Sequence, residues 1–180
     1  MKGVINKGIQ DLVESHYGPE SWQKVQDLAD CKEPFFAVSK DYPDAMTMAL
    51  IMATAKVSGQ DPAEVMIAFG RHWVSEVGAK CYPAFYQIAG DNPREFLLNM
   101  NAVHEQVTRN MDEASPPSFI YEELPGGRLL LHYESERSLC PVLKGLILGV
   151  GDYFGQELTV VETSCQKKGD PRCTMEVTFP

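Results

Sequence analysis

The sequence has no block of basic residues: 16 lysines and arginines face 25 aspartates and glutamates, a formal charge of −9 at neutral pH. Nucleic acid and anionic membranes reward clustered Lys and Arg, so neither fits as the main partner. Long apolar runs are also missing. The strongest, Leu143 to Val150, is broken by Lys144, Gly145 and Gly149, and it is far short of the ~20 residues that span a bilayer. No apolar h-region or small-residue cleavage site follows Met1-Lys2-Gly3-Val4-Ile5, so no secretory leader is visible and a cytoplasmic location is expected. Internal repeats and low-complexity tracts are absent too, which sets aside solenoids and disordered tails. Five cysteines, an odd number with no leader, point to reduced thiols or metal ligands before disulfides. What remains is the profile of one globular domain over residues 1–180, with 44% apolar and 23% charged residues.

The first two thirds carry helical periodicity. Val4, Ile5, Ile9, Leu12, Val13 and Tyr17 recur at three- and four-residue spacing until Gly18-Pro19 stops the run. Ser21 is the expected cap of a second short helix. Pro43-Asp44 opens a third that ends at Gly59, and Asp61-Pro62-Ala63-Glu64 has the form of a capped helix start. Asp91-Asn92-Pro93 begins a helix expected to run to about Met111. Two prolines after Ser115 then force an extended chain, and the pattern turns strand-like. Ser118 to Glu123 and Arg128 to Glu134 flank Pro125-Gly126-Gly127, a hairpin signal. A helix from about Leu139 to Phe154 precedes strands near Glu157–Thr163 and Cys173–Phe179. The expected class is α+β: a helical part over about 1–113, then a small antiparallel sheet with helices over about 114–180, sharing one core.

Two features carry chemistry. His104 lies at the edge of the stripe formed by Phe96, Met100, Val103, Val107 and Met111. A buried imidazole left unsatisfied costs about 1–3 kcal/mol, so it needs a partner. A core histidine bonded to a carbonyl is one solution; a ligand to haem iron is another. The second feature is Tyr133-Glu134-Ser135-Glu136-Arg137. In an extended strand, Tyr133, Ser135 and Arg137 leave one face together, and a phenol, a hydroxyl and a guanidinium make a clamp for a carboxylate or phosphate. A solvent-facing strand edge produces the same alternation.

Taken together, "Phe-Leu-x-Asn-Met-x-x-Val-His" ending at His104 and the Tyr-x-Ser-x-Arg of Tyr133, Ser135 and Arg137 resemble the H-NOX domains, haem sensors related to the regulatory region of soluble guanylate cyclase. The likeness extends to Met1-Lys2-Gly3-Val4-Ile5, Leu12-Val13 with Tyr17-Gly18, Ala68-Phe69-Gly70, Pro116-Pro117 and Gly145-Leu146, in the family's order along the chain. The resemblance implies haem b buried between the two parts, with His104 as the proximal iron ligand and Met100 beside it. It implies that Tyr133, Ser135 and Arg137 hold the propionates and that Pro117 presses on the porphyrin. It places Ile5, Ile9, Trp73, Val77, Val142 and Leu146 around the gas-binding side.

Oxygen-binding members of the family carry a tyrosine at the position of Val142, and valine cannot donate a hydrogen bond to bound dioxygen. The expectation is therefore a nitric oxide sensor, also open to carbon monoxide, that excludes dioxygen. Trp73 is the one residue of that set with an N–H to offer. Some relatives bind structural zinc through three cysteines matching Cys140, Cys165 and Cys173 plus a histidine whose place Glu162 takes here; a Cys3Glu site and three reduced thiols are the two readings. The resemblance implies a sensor and not an enzyme, signalling to a separate protein such as a histidine kinase, a diguanylate cyclase or a chemoreceptor. A haem enzyme needs a distal histidine or arginine, which the matched positions lack, and a haem-free module clamping another carboxylate is the remaining alternative.

Overall fold

The computed structural model describes residues 1–109 and 115–180. Helices build the first part: α1 (Gly3–Tyr17), α2 (Pro19–Leu28), α3 (Asp44–Ser58), α4 (Pro62–His72), a π-helical segment (Trp73–Gly78), α5 (Ala79–Cys81), α6 (Pro83–Ala89), α7 (Pro93–Leu98) and α8 (Met100–Thr108). The second part consists of β1 (Ser118–Glu123), β2 (Leu129–Glu134), α9 (Cys140–Tyr153), β3 (Thr159–Ser164) and β4 (Cys173–Thr178). The strands form one antiparallel sheet in the order β1-β2-β4-β3. This is the α+β architecture expected from the sequence. The boundary placed at residues 113–114, and Met111 at the end of the long helix, lie outside the described residues.

Local chemistry explains the element ends. Asp61 caps α4 by accepting the Ala63 N–H at 2.8 Å, and Glu64 reaches back to the Asp61 N–H. Gly59 closes α3 in the left-handed region, φ 72°. Helix α2 begins one turn earlier than Ser21 suggests, with Gly18 as its cap and Pro19 at its first position; the Ser21 hydroxyl donates instead to the Tyr17 carbonyl. The helix expected from Pro93 to about Met111 is interrupted at Asn99, whose φ and ψ of −87° and 0° lie at the edge of the right-handed helical region. The Asn99 side-chain amide donates to the Ala89 carbonyl at 2.8 Å, which ties the break to the preceding helix.

Two apolar clusters form, where the sequence suggested one core. The first gathers Ile9, Leu12, Val13, Leu50, Val65 and Phe69 from the N-terminal helices. The second packs Leu143, Ile147 and Val150 of α9 onto the inward row of the sheet, Leu131, Tyr133, Cys173, Met175 and Val177. They meet where α4 crosses α9. A Cβ on Gly145 would be driven into the Ile67 carbonyl oxygen, and one on Gly70 into the Val142 carbonyl oxygen. Only glycine allows the two backbones this approach. Arg71 and Asp152 then bridge the same crossing through two hydrogen bonds of 2.7 Å.

Substituting Gly145→Ala should destabilise the fold by about 1–3 kcal/mol, because the added methyl meets backbone and not a movable side chain. Urea unfolding followed by circular dichroism reads this as a lower midpoint with an unchanged slope.

Candidate haem and metal sites

His104 sits on α8 facing the start of β1. The link that sets its orientation is Asn101, one turn earlier. Its side-chain amide donates to the Phe119 carbonyl at 2.7 Å, and its carbonyl accepts the Phe119 N–H at 3.0 Å, as a neighbouring strand would. Tyr121 adds a second tie, its hydroxyl donating to the Leu97 carbonyl at 2.6 Å. Helix and strand are thus locked in register, and the His104 ring lies 5.8 Å from the Phe119 ring. Phe119 in turn stacks on Tyr133 at 5.9 Å. Met100 and Val103 pack against the same apolar cluster.

Burial lowers the His104 pKa, and a hydrogen bond to the Pro117 backbone opposes that shift. The ring is therefore neutral near pH 7, and its Nδ1 is buried with no hydrogen-bond partner. A neutral imidazole with an unpaired nitrogen in apolar surroundings has the chemistry an axial haem ligand requires. The residues present fit the group. Pro117, half-buried, is at hand beside the ring.

The clamp residues are arranged differently from the extended strand that the spacing suggested. Strand β2 ends at Glu134, and the chain turns over Ser135–Ser138, where the Ser138 N–H meets the Ser135 carbonyl at 3.2 Å. The turn is needed because the chain must reverse from β2 into α9 within five residues. Tyr133 alone stays on the strand, and its buried hydroxyl is linked to Ser135 and to the Leu139 backbone. The Ser135 hydroxyl accepts the Arg137 backbone N–H at 3.3 Å. The Arg137 guanidinium reaches Asp44 Oδ2 at 2.7 Å and the Ser115 carbonyl at 3.1 Å.

Asp44 completes a chain of charge that the sequence reading missed. The Met1 ammonium donates to its Oδ1 at 2.7 Å, and this contact, joined by Arg137, holds the Asp44 carboxyl below the usual range. No local motif signals it, because its partners are 43 and 93 residues away. A carboxylate at the Arg137 guanidinium indicates that the cation is placed to take one.

The residues expected on the gas side lie on α1, the π-helical segment and α9, and they do not all fall in one apolar cluster. Ile9 belongs to the N-terminal cluster, with Ile5, Trp73 and Val142 packed against it. Val77 is buried, and Leu146 packs against the C-terminal cluster. The π-helical turn was not anticipated. The Val74 carbonyl accepts both the Ala79 N–H of this turn and the Tyr86 hydroxyl, the latter at 2.7 Å, and Gly78 leaves room for that hydroxyl.

A second group lies where α9 starts and the β3–β4 connection turns. The sulfurs of Cys140, Cys165 and Cys173 are buried within 4.8 Å of one another. Cys140 and Cys165 are 3.8 Å apart, close to the ~3.8 Å between sulfurs around a tetrahedral zinc with ~2.3 Å bonds. Cys140 and Cys173 are at hydrogen-bond distance, 2.8 Å, and the Cys173 sulfur accepts the Gln166 N–H at 3.4 Å. Burial and the neighbouring sulfurs raise the Cys140 pKa strongly. Glu162 is not brought into this group; its carboxylate accepts Lys168 Nζ at 2.7 Å. Cys31 is buried and Cys81 exposed, both away from the trio. His132 occupies the opposite face of the sheet from Tyr133, bonded to the Thr174 hydroxyl at 3.0 Å.

With this geometry in hand, comparison with known proteins defines the class. The family model described as haem-NO-binding matches residues 2–162. The chain belongs to that family, the H-NOX haem-based gas sensors. It is 24% identical over 161 residues to soluble guanylate cyclase 89Db of Drosophila melanogaster, covering 88% of this chain and 24% of that protein. It is 31% identical over 98 residues to the guanylate cyclase soluble subunit beta-2 of Rattus norvegicus, covering 53% of this chain and 14% of that one. The chain spans about a quarter of the length of the cyclases it matches along most of its length. Among solved structures, an H-NOX protein from S. oneidensis in the Fe(II)NO ligation state aligns with a TM-score of 0.90 and 22% identity, over 100% of this chain and 99% of that one. An oxygen-binding H-NOX domain related to soluble guanylate cyclases aligns at 0.83 with 23% identity, over 99% and 95%. These likenesses show the fold.

The Asp44 contacts set a pH dependence. Because the folded carboxyl is held below its free value of 3.8, its stabilisation is present above that value and is lost as pH falls through the lower folded value. Asp44 is 46% exposed, so solvent screening limits the contribution to about 0.5–1 kcal/mol. Asp44→Asn should lower the urea midpoint at pH 6, and the difference should close as the medium becomes strongly acidic.

Proposed function

We propose that residues 1–180 act as one sensing domain that takes up nitric oxide and carbon monoxide, excludes dioxygen, and relays the change to a separate signalling protein. The observation that carries the selectivity is Val142. With Ile5 and Trp73 it packs against the apolar cluster that contains Ile9, and the resemblance matches it to the tyrosine that would hold dioxygen in oxygen-binding members. Ile5, Ile9, Val77, Val142 and Leu146 carry no donor on their side chains, and only the Trp73 indole has one.

Haem iron supplies the gas-binding position when the cofactor is bound. The protein's own part is to hold it and respond to it. His104 offers a neutral imidazole nitrogen that lacks another partner. Arg137, Tyr133 and Ser135 would take the propionates, with Arg137 exchanging Asp44 for one of them or sharing its guanidinium with both. Pro117 would bear on the porphyrin from the His104 side. A change in the hold on His104 passes to α8, and the Asn101 and Tyr121 contacts carry it into β1 and the sheet. Binding and relay, not turnover, is the role this arrangement supports. A histidine kinase, a diguanylate cyclase or a chemoreceptor in the cytoplasm is the kind of partner proposed. Among the described residues no helix is long and apolar enough to cross a membrane.

Reduced protein should show a Soret shift with nitric oxide and with carbon monoxide but no stable change in air. Val142→Tyr should raise dioxygen affinity by about tenfold or more, the worth of one added hydrogen bond in an apolar site. A long-lived dioxygen spectrum in the unmodified protein would overturn the selectivity. His104→Gly should lose the axial-imidazole signature and regain it on adding imidazole.

The three buried thiols favour a structural zinc ion besides haem. The Cys140–Cys165 spacing and the Gln166 N–H directed at Cys173 suit thiolates on a metal, whereas the 2.8 Å between Cys140 and Cys173 would have to open; an ion would relieve the raised Cys140 pKa by replacing its proton. Protein purified without chelators should carry about one equivalent of zinc by mass spectrometry, and Cys165→Ser should fall below about half.

A further inference from the structure

A cleft of about 320 Å³ opens where α6 meets the end of α9, and none of the residues assigned above to haem, gas or zinc lines it. Tyr86, Tyr153 and Phe154 form its walls, with Pro83 beside them. The Tyr86 and Tyr153 rings lie 5.2 Å apart at 74°, and the Tyr153 and Phe154 rings 5.0 Å apart at 90°, so the three make a corner and not a stack. The corner is held in place. The Tyr86 hydroxyl donates to the Val74 carbonyl, and Phe96 packs edge-on to Tyr86 at 5.1 Å and to Phe154 at 5.9 Å. Gly90, with φ 138°, leaves one wall without a side chain. The rim is negative. Asp91 lines the cleft and is exposed, and the Glu95 carboxylate accepts the Asp91 N–H at 3.1 Å. Among the described residues no lysine or arginine pairs with either carboxylate. The cations nearest in sequence are engaged elsewhere, Lys80 by Glu76 at 2.8 Å and Arg94 by Glu123 at 2.9 Å.

We propose that this corner is a binding site for a guanidinium-bearing ligand, held by the aromatic walls and by the Asp91 carboxylate. An aromatic face attracts a cation through its quadrupole when the charge lies within about 6 Å of the ring centre. A guanidinium is flat and weakly hydrated, so it can lie against a ring while its N–H fork meets a carboxylate in two parallel bonds. An ammonium is more strongly hydrated and gives up more on leaving water. The cleft volume is at the lower end of the roughly 300–1,000 Å³ in which small ligands are held. The chain's charge of −9 favours the approach of a cation. His104, Arg137 and the cysteines take no part, so the site stands apart from the haem and zinc readings.

The test is an NMR titration of the haem-loaded, diamagnetic Fe(II)–CO protein with N-acetylarginine amide. Saturable shifts are expected at the Tyr86, Tyr153 and Phe154 amides. The citrulline analogue, alike in shape but uncharged, should bind about three- to thirtyfold more weakly. Asp91→Asn should weaken the arginine derivative by about two- to fivefold, the strength of an exposed ion pair. Tyr153→Leu should weaken it by a similar two- to fivefold or so, whereas Tyr153→Phe keeps the ring and should leave affinity unchanged. Asp91 is exposed and Tyr153 is 43% exposed, and an unchanged unfolding midpoint would confirm that the variants fold. Methylguanidinium binding as tightly as the arginine derivative would point to a free small cation, and tighter binding of an arginine-containing tripeptide to a protein side chain; either result upholds the site. Equal affinity for the citrulline analogue, or no saturable shift at the corner, would overturn it. So would a loss in Asp91→Asn with Tyr153→Leu silent, because that pattern is surface charge alone.

Discussion

An imidazole nitrogen closed off from water with nothing to bond is the constraint on which the rest of this structure depends. Keeping His104 Nδ1 in that state costs about 1–3 kcal/mol, so the surroundings must hold the ring in place against its tendency to turn outward. They do so through a hydrogen bond between the ring and the Pro117 backbone and by fixing the backbone around it. The Asn101 amide completes two hydrogen bonds to Phe119, Tyr121 anchors the preceding helix, and the break at Asn99 gives α8 its own direction. The unpaired nitrogen keeps a lone pair available for an electron-pair acceptor on a ring whose backbone is already held in place.

The two halves of the chain are joined in ways that suit a sensor. Helix α9 belongs to both apolar clusters, with Val142 on the N-terminal side and Ile147 on the C-terminal side. Where it crosses α4 the backbones approach over glycines, so the contact is close. A second join runs through charge, from the Met1 ammonium to Asp44 and on to Arg137. Under the proposed reading Arg137 would both hold the halves together and meet a cofactor carboxylate, and a bound ligand that prefers one of those arrangements would shift the balance between them.

Helix-former periodicity and turn chemistry made much of the fold legible. Gly59, the Asp61-Pro62-Ala63-Glu64 cap, the Pro125-Gly126-Gly127 hairpin and the alternating strands act through neighbours a few residues away, and each appears where its local chemistry predicts. Errors came where a distant partner overrode a local pattern. Tyr133 to Arg137 alternates like a strand, yet the need to reverse into α9 and the pull of Asp44 turn it. The run from Pro93 reads as one helix, yet a tertiary bond from Asn99 to Ala89 breaks it.

By itself, the sequence determined the class of domain, the residue types that can meet a haem, and the apolar character of the residues expected around the gas, because these follow from side-chain chemistry and from motifs in a known order. Only the tertiary structure decided that Asn101 aims His104, that Asp44 engages both the Met1 ammonium and Arg137, and that three sulfurs converge while Glu162 is tied to Lys168. Those contacts join residues brought together by chain reversal, and a hydrogen bond or ion pair acts only over a few ångströms of space, whatever the separation along the chain.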